Sequence, residues 1–355
     1  MARGVAHRSA VPRLAPVADG GDGTLDVLLL AAGSSARLTR HGVTGPVGGR
    51  VTARLGWLGS DVALVELAEA SGLRLLRSRS LDALRATSRG TGELLRAALD
   101  AGARRVIVGV GGSASTDGGA GLLQALGARF LDGDGRDVPP GGAGLVELAS
   151  VDLKGLDARL AGCTVDVATD VRNPLLGPDG AAAVFAPQKG ASAADVAVLE
   201  RGLARLVQVV ARNPGAALLA DLDGAGAAGG CGFGLALAGA HLIPGAPLVC
   251  DLVGLDAAIA GADLVLTGEG QIDSQTAAGK APYEVAHRAR LLHVPCVAIG
   301  GRVLDALGDT FSGVLSLEKL ARGDARSAGD PKRRARRLLR RAAEVAVKQY
   351  LGSGQ

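Results

Sequence analysis

A run of β-branched apolar residues that ends in glycines constrains this chain more than any other feature. Val106 to Val110 has the pattern of a strand buried on both faces. Gly109, Gly111 and Gly112 follow, and glycine lets a backbone turn sharply or approach a ligand with no Cβ in the way. Ser113, Ser115 and Thr116 add hydroxyls, and Asp117 is placed to cap a helix through Leu122, Leu123 and Leu126. Free N–H groups and the helix dipole make such a strand–turn–helix junction a natural anion site. A tight turn with no ligand is the equally weighted alternative. Position 114 is alanine, so the dinucleotide fingerprint G-x-G-x-x-G fails, and no G-x-x-x-x-G-K-[ST] occurs anywhere.

Further along, the same arrangement recurs. Thr164 to Thr169 reads as a strand that runs into Asp170-Val-Arg172-Asn173-Pro174. Asp263 to Thr267 reads as another, followed by Gly268-Glu269-Gly270-Gln271-Ile272-Asp273, with Gly279-Lys280 beyond. Two carboxylates four residues apart on a loop after a strand suit magnesium binding or proton abstraction, and equally a capping network. Near the start, Asp19-Gly20-Gly21-Asp22-Gly23 is a glycine turn bearing two acids; Asp19 would sit at a cleft and Asp22 at the cap of a helix over 24–32. Val294 to Ile299 and Gly313 to Leu317 are two more expected strands. Strands alternate with helices from Val106 on, which gives an α/β class with mostly parallel sheets.

Other segments fill in the organisation. Residues 37–67 read as short β elements around a Gly48-Gly49 turn, with a unit boundary near residue 40. Leu81 to Arg89 and Thr91 to Ala101 are expected helices, the second capped by Thr91 with Glu93 nearby. A long amphipathic helix is expected over 192–212. Ala2 to Arg8 could form a piece of helix, and Pro12 and Pro16 bracket an extended segment. Asp132-Gly-Asp134-Gly-Arg136-Asp137 opens like a calcium loop but puts Arg136 at a ligand position, so a surface hairpin is expected. Lys189, in Phe185-Ala-Pro-Gln-Lys-Gly190, is a candidate phosphate contact or a surface lysine. The stretch Gly224-Ala-Gly-Ala-Ala-Gly-Gly-Cys-Gly232 could be a loop or a close-packed helix start.

Composition excludes several classes. With 355 residues and 48% hydrophobic content, two cores can be filled. Aromatics are only 2%, which leaves few stacking platforms for bases and argues against nucleic-acid binding. The net charge of +4 hides the segment Lys332 to Arg341, which carries seven positive charges. A basic amphipathic helix there can meet an acidic partner or a membrane, but a solvated face over inward Leu338, Leu339, Ala342 and Val345 is favoured. Cys163, Cys231, Cys250 and Cys296 form no C-x-x-C pair, so neither zinc nor a disulfide framework is expected. No run approaches 18 apolar residues and no signal core is visible, so a cytoplasmic protein with no membrane role is expected.

Together these motifs resemble the type 1 glycerate kinase family. The likeness is carried by Pro16-Val-Ala-Asp-Gly-Gly-Asp-Gly-Thr24, Thr87-Ser-Arg-Gly-Thr-Gly-Glu93, Gly111-Gly-Ser-Ala-Ser-Thr-Asp-Gly-Gly-Ala-Gly121 and Ala168-Thr-Asp-Val-Arg-Asn-Pro174. It continues in Phe185 to Gly190, Gly224 to Gly230, and Thr267-Gly-Glu-Gly-Gln-Ile-Asp-Ser-Gln275 with Gly279-Lys280. Seven motifs stand in the family's order from residue 16 to about 300. The resemblance implies transfer of the ATP γ-phosphoryl group, with Mg²⁺, to D-glycerate, giving 2-phosphoglycerate or 3-phosphoglycerate, in a monomer or homodimer.

The resemblance also implies two α/β domains: a Rossmann-like domain from residues 1–39 plus 263–355, and an inserted flavodoxin-like domain from 40–262. Gly111, Gly112, Ser113 and Ser115 would hold ATP phosphates. Asp170 or Asp273 would take the hydroxyl proton, Glu269 or Asp117 would hold Mg²⁺, and Lys280 or Lys189 would neutralise developing charge. Arg172 or Arg89 would clamp the glycerate carboxylate, with Asp19 and Asn173 beside the substrate. Members usually begin with a strand and a loop of the type Asp-Ser-Phe-Lys-Gly, and Met1-Ala-Arg-Gly-Val-Ala6 matches only the tail of the next helix. A start codon called too far downstream is the expected explanation, and an inactive glycerate or nucleotide binder is the alternative function. Thr116 stands where the family usually has Asn. A nicotinamide dehydrogenase is disfavoured by the failed fingerprint.

Overall fold

The computed structural model describes residues 1–7, 10–76, 80–277, 279–304, 307–322 and 330–352. Contacts divide the chain into a continuous unit, Asp19–Gly245, and a discontinuous unit made of Met1–Ala18 and Ala246–Gln355. The expected division, 1–39 plus 263–355 around 40–262, therefore moves at both boundaries. Packing of the helix Thr24–Ala32 explains the first shift. Its Leu25 and Leu28 are buried and line one small gap with Leu64 and Ile107 of the continuous unit. The second shift follows because Cys250, Leu255 and Ile259, just past the strand His241–Pro244, join the core of the discontinuous unit.

Six strands form the main sheet of the continuous unit. β1 (Ala36–Thr44), β2 (Arg50–Leu58) and β3 (Val62–Glu66) are antiparallel, joined first by the turn through Gly48-Gly49. β4 (Arg105–Gly109) then runs parallel to β3. A separate two-stranded ribbon, β5 (Arg129–Leu131) with β6 (Ser150–Asp152), precedes β7 (Thr164–Thr169) and β8 (His241–Pro244). The sheet order is β1-β2-β3-β4-β7-β8. It advances in one direction, without the reversal that a flavodoxin-like order contains. Right-handed crossovers between successive parallel strands then all fall on one face.

Strand parity shows that consequence directly. Ala63, Val65, Val106, Val108, Val165 and Val167 belong to the large core, together with Leu94, Leu95, Leu122, Leu203 and Leu206 from helices. Leu64 and Ile107, one residue out of step, instead meet Leu25 and Leu28 on the opposite face. The long helix Ala193–Val210 starts as its sequence directs. Ser192 and Asp195 form a reciprocal capping box. Asp132 accepts from the amides of Asp134 and Arg136, so the calcium-like stretch is a self-closed surface turn.

One expected helix is absent. Residues 81–88 form a turn and an extended run, and the helix Arg89–Asp100 begins only afterwards. Thr87 and Ser88 are drawn away from a helical path: the Thr87 amide donates to the Pro46 carbonyl, and Ser88 donates through both its amide and its hydroxyl to Asp117. Thr91 consequently lies inside the helix, bonded to the Ser71 hydroxyl at 2.9 Å, and caps nothing. Glu93 accepts from the amide and hydroxyl of Thr44.

The discontinuous unit holds a three-stranded parallel sheet: β9 (Val265–Ile272), β10 (Cys296–Val303) and β11 (Gly313–Ser316), in the order β11-β10-β9. Its core gathers Ile259, Ile272, Val285, Ala289, Ala298 and Phe311. Ala2–Ala6 is helical and packs on the helix Pro331–Leu351, where a Cβ on Gly4 would strike the Arg340 carbonyl. Arg8, at the expected end of that first helix, lies outside the described residues. In Pro331–Leu351, Leu338, Ala342, Ala343, Ala346 and Val347 face inward, whereas Arg333, Arg336, Arg337 and Arg341 are exposed. Leu339 and Val345 are only half-buried. Among the described residues no helix is long and apolar enough to cross a membrane.

Candidate functional site

Adjacent strand ends gather most of the candidates in the continuous unit. Gly109 of β4 pairs with Ala168 of β7, so Gly111-Gly112, two and three residues past one carboxyl end, lie beside Asp170, one residue past the neighbouring end. Asp19 to Gly23 is threaded across the same edge. The Gly111 amide donates to the Gly20 carbonyl at 3.3 Å. A Cβ on Gly109 would lie 2.8 Å from that carbonyl oxygen, and one on Gly20 would lie 2.5 Å from the carbonyl of Ala168. Several of these glycines therefore serve the approach of one backbone to another. Carboxyl ends of strands are where open α/β sheets place their ligands.

Exposure separates the turn into two parts. Gly111 is partly exposed and Gly112 exposed, whereas Ser113 through Gly121 are buried. Among the described residues, the amides of Gly112 and Ser113 have no hydrogen-bond partner. A Cβ on Gly112 would come within 3.0 Å of the Asp22 carboxylate, which is itself exposed. Asp22 caps no helix; the N-cap of Thr24–Ala32 is Gly23, in the left-handed region. The acceptor there is the buried Glu66, which receives the amides of Gly23 and Leu25. Burial raises the Glu66 carboxyl above its ordinary range, against the lowering effect of those two bonds and of Arg74.

The hydroxyls expected to hold phosphates point into protein. Ser113 Oγ accepts from Lys189 Nζ at 2.9 Å, and Ser115 Oγ is buried with no hydrogen-bond partner among the described residues. Thr116 Oγ1 is also buried and unpaired. Lys189 is neither a surface lysine nor exposed to a substrate. It is 2% exposed, and its ammonium donates to Ser113 Oγ and to the Ser115 carbonyl.

Asp117, expected as a cap or as a metal ligand, is not the N-cap, which is Gly119, but its carboxylate reaches the helix start from two residues earlier. It accepts from the amides of Gly119 and Gly121 at the start of the helix Ala120–Ala125. Its Oδ2 also accepts from the Ser88 amide at 2.8 Å, the Ser88 hydroxyl at 2.9 Å and Thr87 Oγ1 at 3.4 Å. The side chain is 0% exposed, and burial pushes its pKa up against these bonds. A carboxylate so enclosed has no oxygen facing outward for a metal.

Past β7, Asp170 is half-buried and Arg172 is exposed; among the described residues Arg172 makes one ion pair, a 4.0 Å contact to Asp223. Arg172 is therefore free to turn towards an anion. Asn173 is committed to its own loop: its side-chain amide donates to the Asp179 carbonyl at 2.7 Å. Arg89 sits at the start of the helix Arg89–Asp100, paired with Glu93 at 3.3 Å. Asp19 accepts from the Gly21 amide at 3.1 Å.

The discontinuous unit carries the other three candidates. Glu269 is on β9, not on a loop after it, because the strand continues to Ile272. Its Oε1 accepts from Thr276 Oγ1, and its Oε2 lies 3.8 Å from Lys280 Nζ. Asp273 receives Gln271 Nε2 at 2.7 Å, and its own amide donates to Thr276. Thr276 thus links the Glu269 carboxylate to the Asp273 main chain, although the sequence motif stops one residue short of it. Among the described residues no group of three or more His, Cys, Asp or Glu is placed to hold a metal. Magnesium takes one or two carboxylates together with substrate phosphates, and the partly exposed Glu269 fits that need where Asp117 does not.

Sequence reading missed Thr87, Ser88, Glu66 and Thr276. The first two stood inside the Thr87-Ser-Arg-Gly-Thr-Gly-Glu93 motif, and a Ser-Arg pair before a helix was the available signal.

The glycerate kinase family profile matches residues 1–351. A glycerate kinase of Bacillus subtilis (strain 168) is 45% identical over 319 residues, covering 86% of this chain and 83% of that protein. A glycerate 2-kinase of Escherichia coli (strain K12) is 45% identical over 298 residues, 82% of this chain and 77% of the relative. A crystal structure of a candidate glycerate kinase 2 from Salmonella typhimurium LT2 superimposes with a TM-score of 0.80 at 42% identity, covering 99% of this chain and 93% of that one.

Proposed function

This chain belongs to the glycerate kinase family, and on that premise we propose that it transfers the γ-phosphoryl group of ATP to D-glycerate, giving 2-phosphoglycerate. The position is supported by the Escherichia coli relative, which is named a glycerate 2-kinase. The inactive binder is not favoured, since the similarity extends over most of the chain and includes the strand-end acids.

One observation carries the assignment of roles. The Gly109–Ala168 register sets an exposed glycine turn with two unpaired amides beside an acid-bearing loop, at the carboxyl edge of the sheet. Phosphoryl transfer needs donors for phosphate oxygens and an acceptor hydroxyl held in line, with little covalent help. The unpaired amides of Gly112 and Ser113 take the phosphates, and Gly111, its own amide bonded to Gly20, leaves room for their approach. Asp170 accepts the hydroxyl proton, and Arg172 holds the glycerate carboxylate by a two-pronged bond. In the discontinuous unit, Glu269 would hold Mg²⁺, which would neutralise phosphate charge, and Lys280, 3.8 Å from its Oε2, would supply a second positive group. Asp19 keeps a substrate-side role, whereas Asn173 and Lys189 are assigned to structure.

Asp170→Asn tests this reading. Its kcat should fall by at least about 10²-fold with folding intact, while Asp273→Asn stays within about tenfold. The reverse order would transfer the base to Asp273. ³¹P NMR of the product separates 2-phosphoglycerate from 3-phosphoglycerate.

A further inference from the structure

We propose that Lys189 is a positioning residue: its enclosed ammonium fastens the inner half of the glycine turn and so fixes the backbone of Gly111 to Ser115. The geometry is that of a bolt. Nζ donates to a side-chain oxygen at Ser113 and to a main-chain oxygen at Ser115, spanning the residue between them. Lys189 closes a short helical turn, Pro187–Lys189, and stands against the helix Ala227–Leu237. That helix opens with Ala228, Gly229 and Gly230 all in the left-handed region. A Cβ on Gly229 would lie 2.9 Å from Nζ, so the glycine keeps room for the ammonium. The same residue's carbonyl receives the Gly118 amide at 3.0 Å. From the other side, the Leu73 amide donates to Gly112 and the Ala114 amide to Ser71. The turn is thus held on both flanks, and Lys189 is the charged member.

Asp117 and Cys231 are the titratable groups that face the ammonium. Burial lowers the Lys189 pKa to about 8, and burial raises the Cys231 thiol to about 12. The ammonium therefore loses its charge near pH 8 while Cys231 stays neutral. A buried cation beneath phosphate-binding amides strengthens their field, and that benefit should fade as the pH passes 8. This last consequence rests on the proposed phosphate role of the Gly112 and Ser113 amides; the bolt itself does not.

The test compares full-length wild type with Lys189→Met, which keeps length and removes the donors, and with Ser113→Ala, which removes one of the two acceptors. Amide hydrogen exchange over 111–118 reads the turn, and KM for Mg-ATP and for D-glycerate reads its use. Folded Lys189→Met should exchange faster in that peptide and raise the ATP KM about tenfold, with the glycerate KM little changed. Ser113→Ala should lie between. The fall in wild-type kcat/KM for ATP above pH 8 should be absent from Lys189→Met. Faster exchange with an unchanged ATP KM would support the bolt and remove the phosphate reading. Should Lys189→Met fail to fold, Ser113→Ala decides alone: faster exchange confined to 111–118 supports the bolt. Unchanged exchange in a folded Lys189→Met, or in Ser113→Ala when that variant stands alone, overturns it.

Discussion

Asp117 and Glu269 were equal candidates for a metal in sequence, each beside glycines after a buried strand, and they end in opposite environments. Asp117 is wholly enclosed and accepts from five donors spread over residues 87–121. Glu269 has one oxygen bonded to Thr276 and another loosely paired with Lys280, with its side chain 19% exposed. An acid in a Gly-Asp motif can therefore serve as scaffold or as reagent. What separates the two is how many donors arrive from distant parts of the chain.

The comparison breaks most sharply on stability. Asp117→Ala should cost about 3–5 kcal/mol, because five donors lose a buried anionic acceptor at once. Glu269→Ala should cost about 1 kcal/mol or less. Urea denaturation of both variants checks this, and equal losses would dissolve the distinction. On activity the order should invert. Glu269→Gln should lower kcat/KM by about 10²-fold and raise the magnesium concentration for half-maximal rate. The folded fraction of Asp117→Asn should keep the wild-type magnesium midpoint.

A smaller effect should sharpen the same contrast. Thr276→Val leaves Glu269 without its hydroxyl partner and should raise the magnesium midpoint by a few-fold, with about 1 kcal/mol lost in stability. Acid titration should show the least. For Asp117, with a folded pKa above its ordinary value, the native state binds more protons between the two values, so its contribution grows as the pH falls through that window. Glu69 has the opposite sign. Although burial is the largest single effect and opposes it, the hydrogen bonds and charges of Arg54 and Arg74 prevail, and its folded pKa is lowered. Its contribution is present above the ordinary value and is lost as the pH falls through the lower, folded value. Thermal melts of Asp117→Asn and Glu69→Gln across the acid range should diverge from wild type in opposite directions.

Legibility in the sequence followed the range of the interactions involved. The strand Thr164–Thr169 and the helix Thr24–Ala32 were readable to the residue, since an apolar run and a Leu stripe are local signals. The helix Ala193–Val210 was readable from its amphipathic period, expected over 192–212. Residues 81–88 were misread because their apolar spacing suits a helix, whereas Ser88 is claimed by Asp117 from 29 positions away. The expected boundary near residue 40 followed a shift of local pattern, but Leu25 and Leu28 pack onto strands that come later in the chain. Lys189 was the hardest to read. Nothing near it in sequence announces that its partners lie 74 and 76 residues earlier. The glycine turn was located correctly, yet the inward facing of Ser113 and Ser115 depends on that same distant lysine.

ADP release by the purified 355-residue chain with Mg-ATP, with D-glycerate, with L-glycerate and with neither, tests the central claim most directly. The account predicts release that depends on D-glycerate and is stoichiometric with a phosphoglycerate product. ADP release independent of glycerate, or none at all from a chain that binds both ATP and D-glycerate, would contradict it.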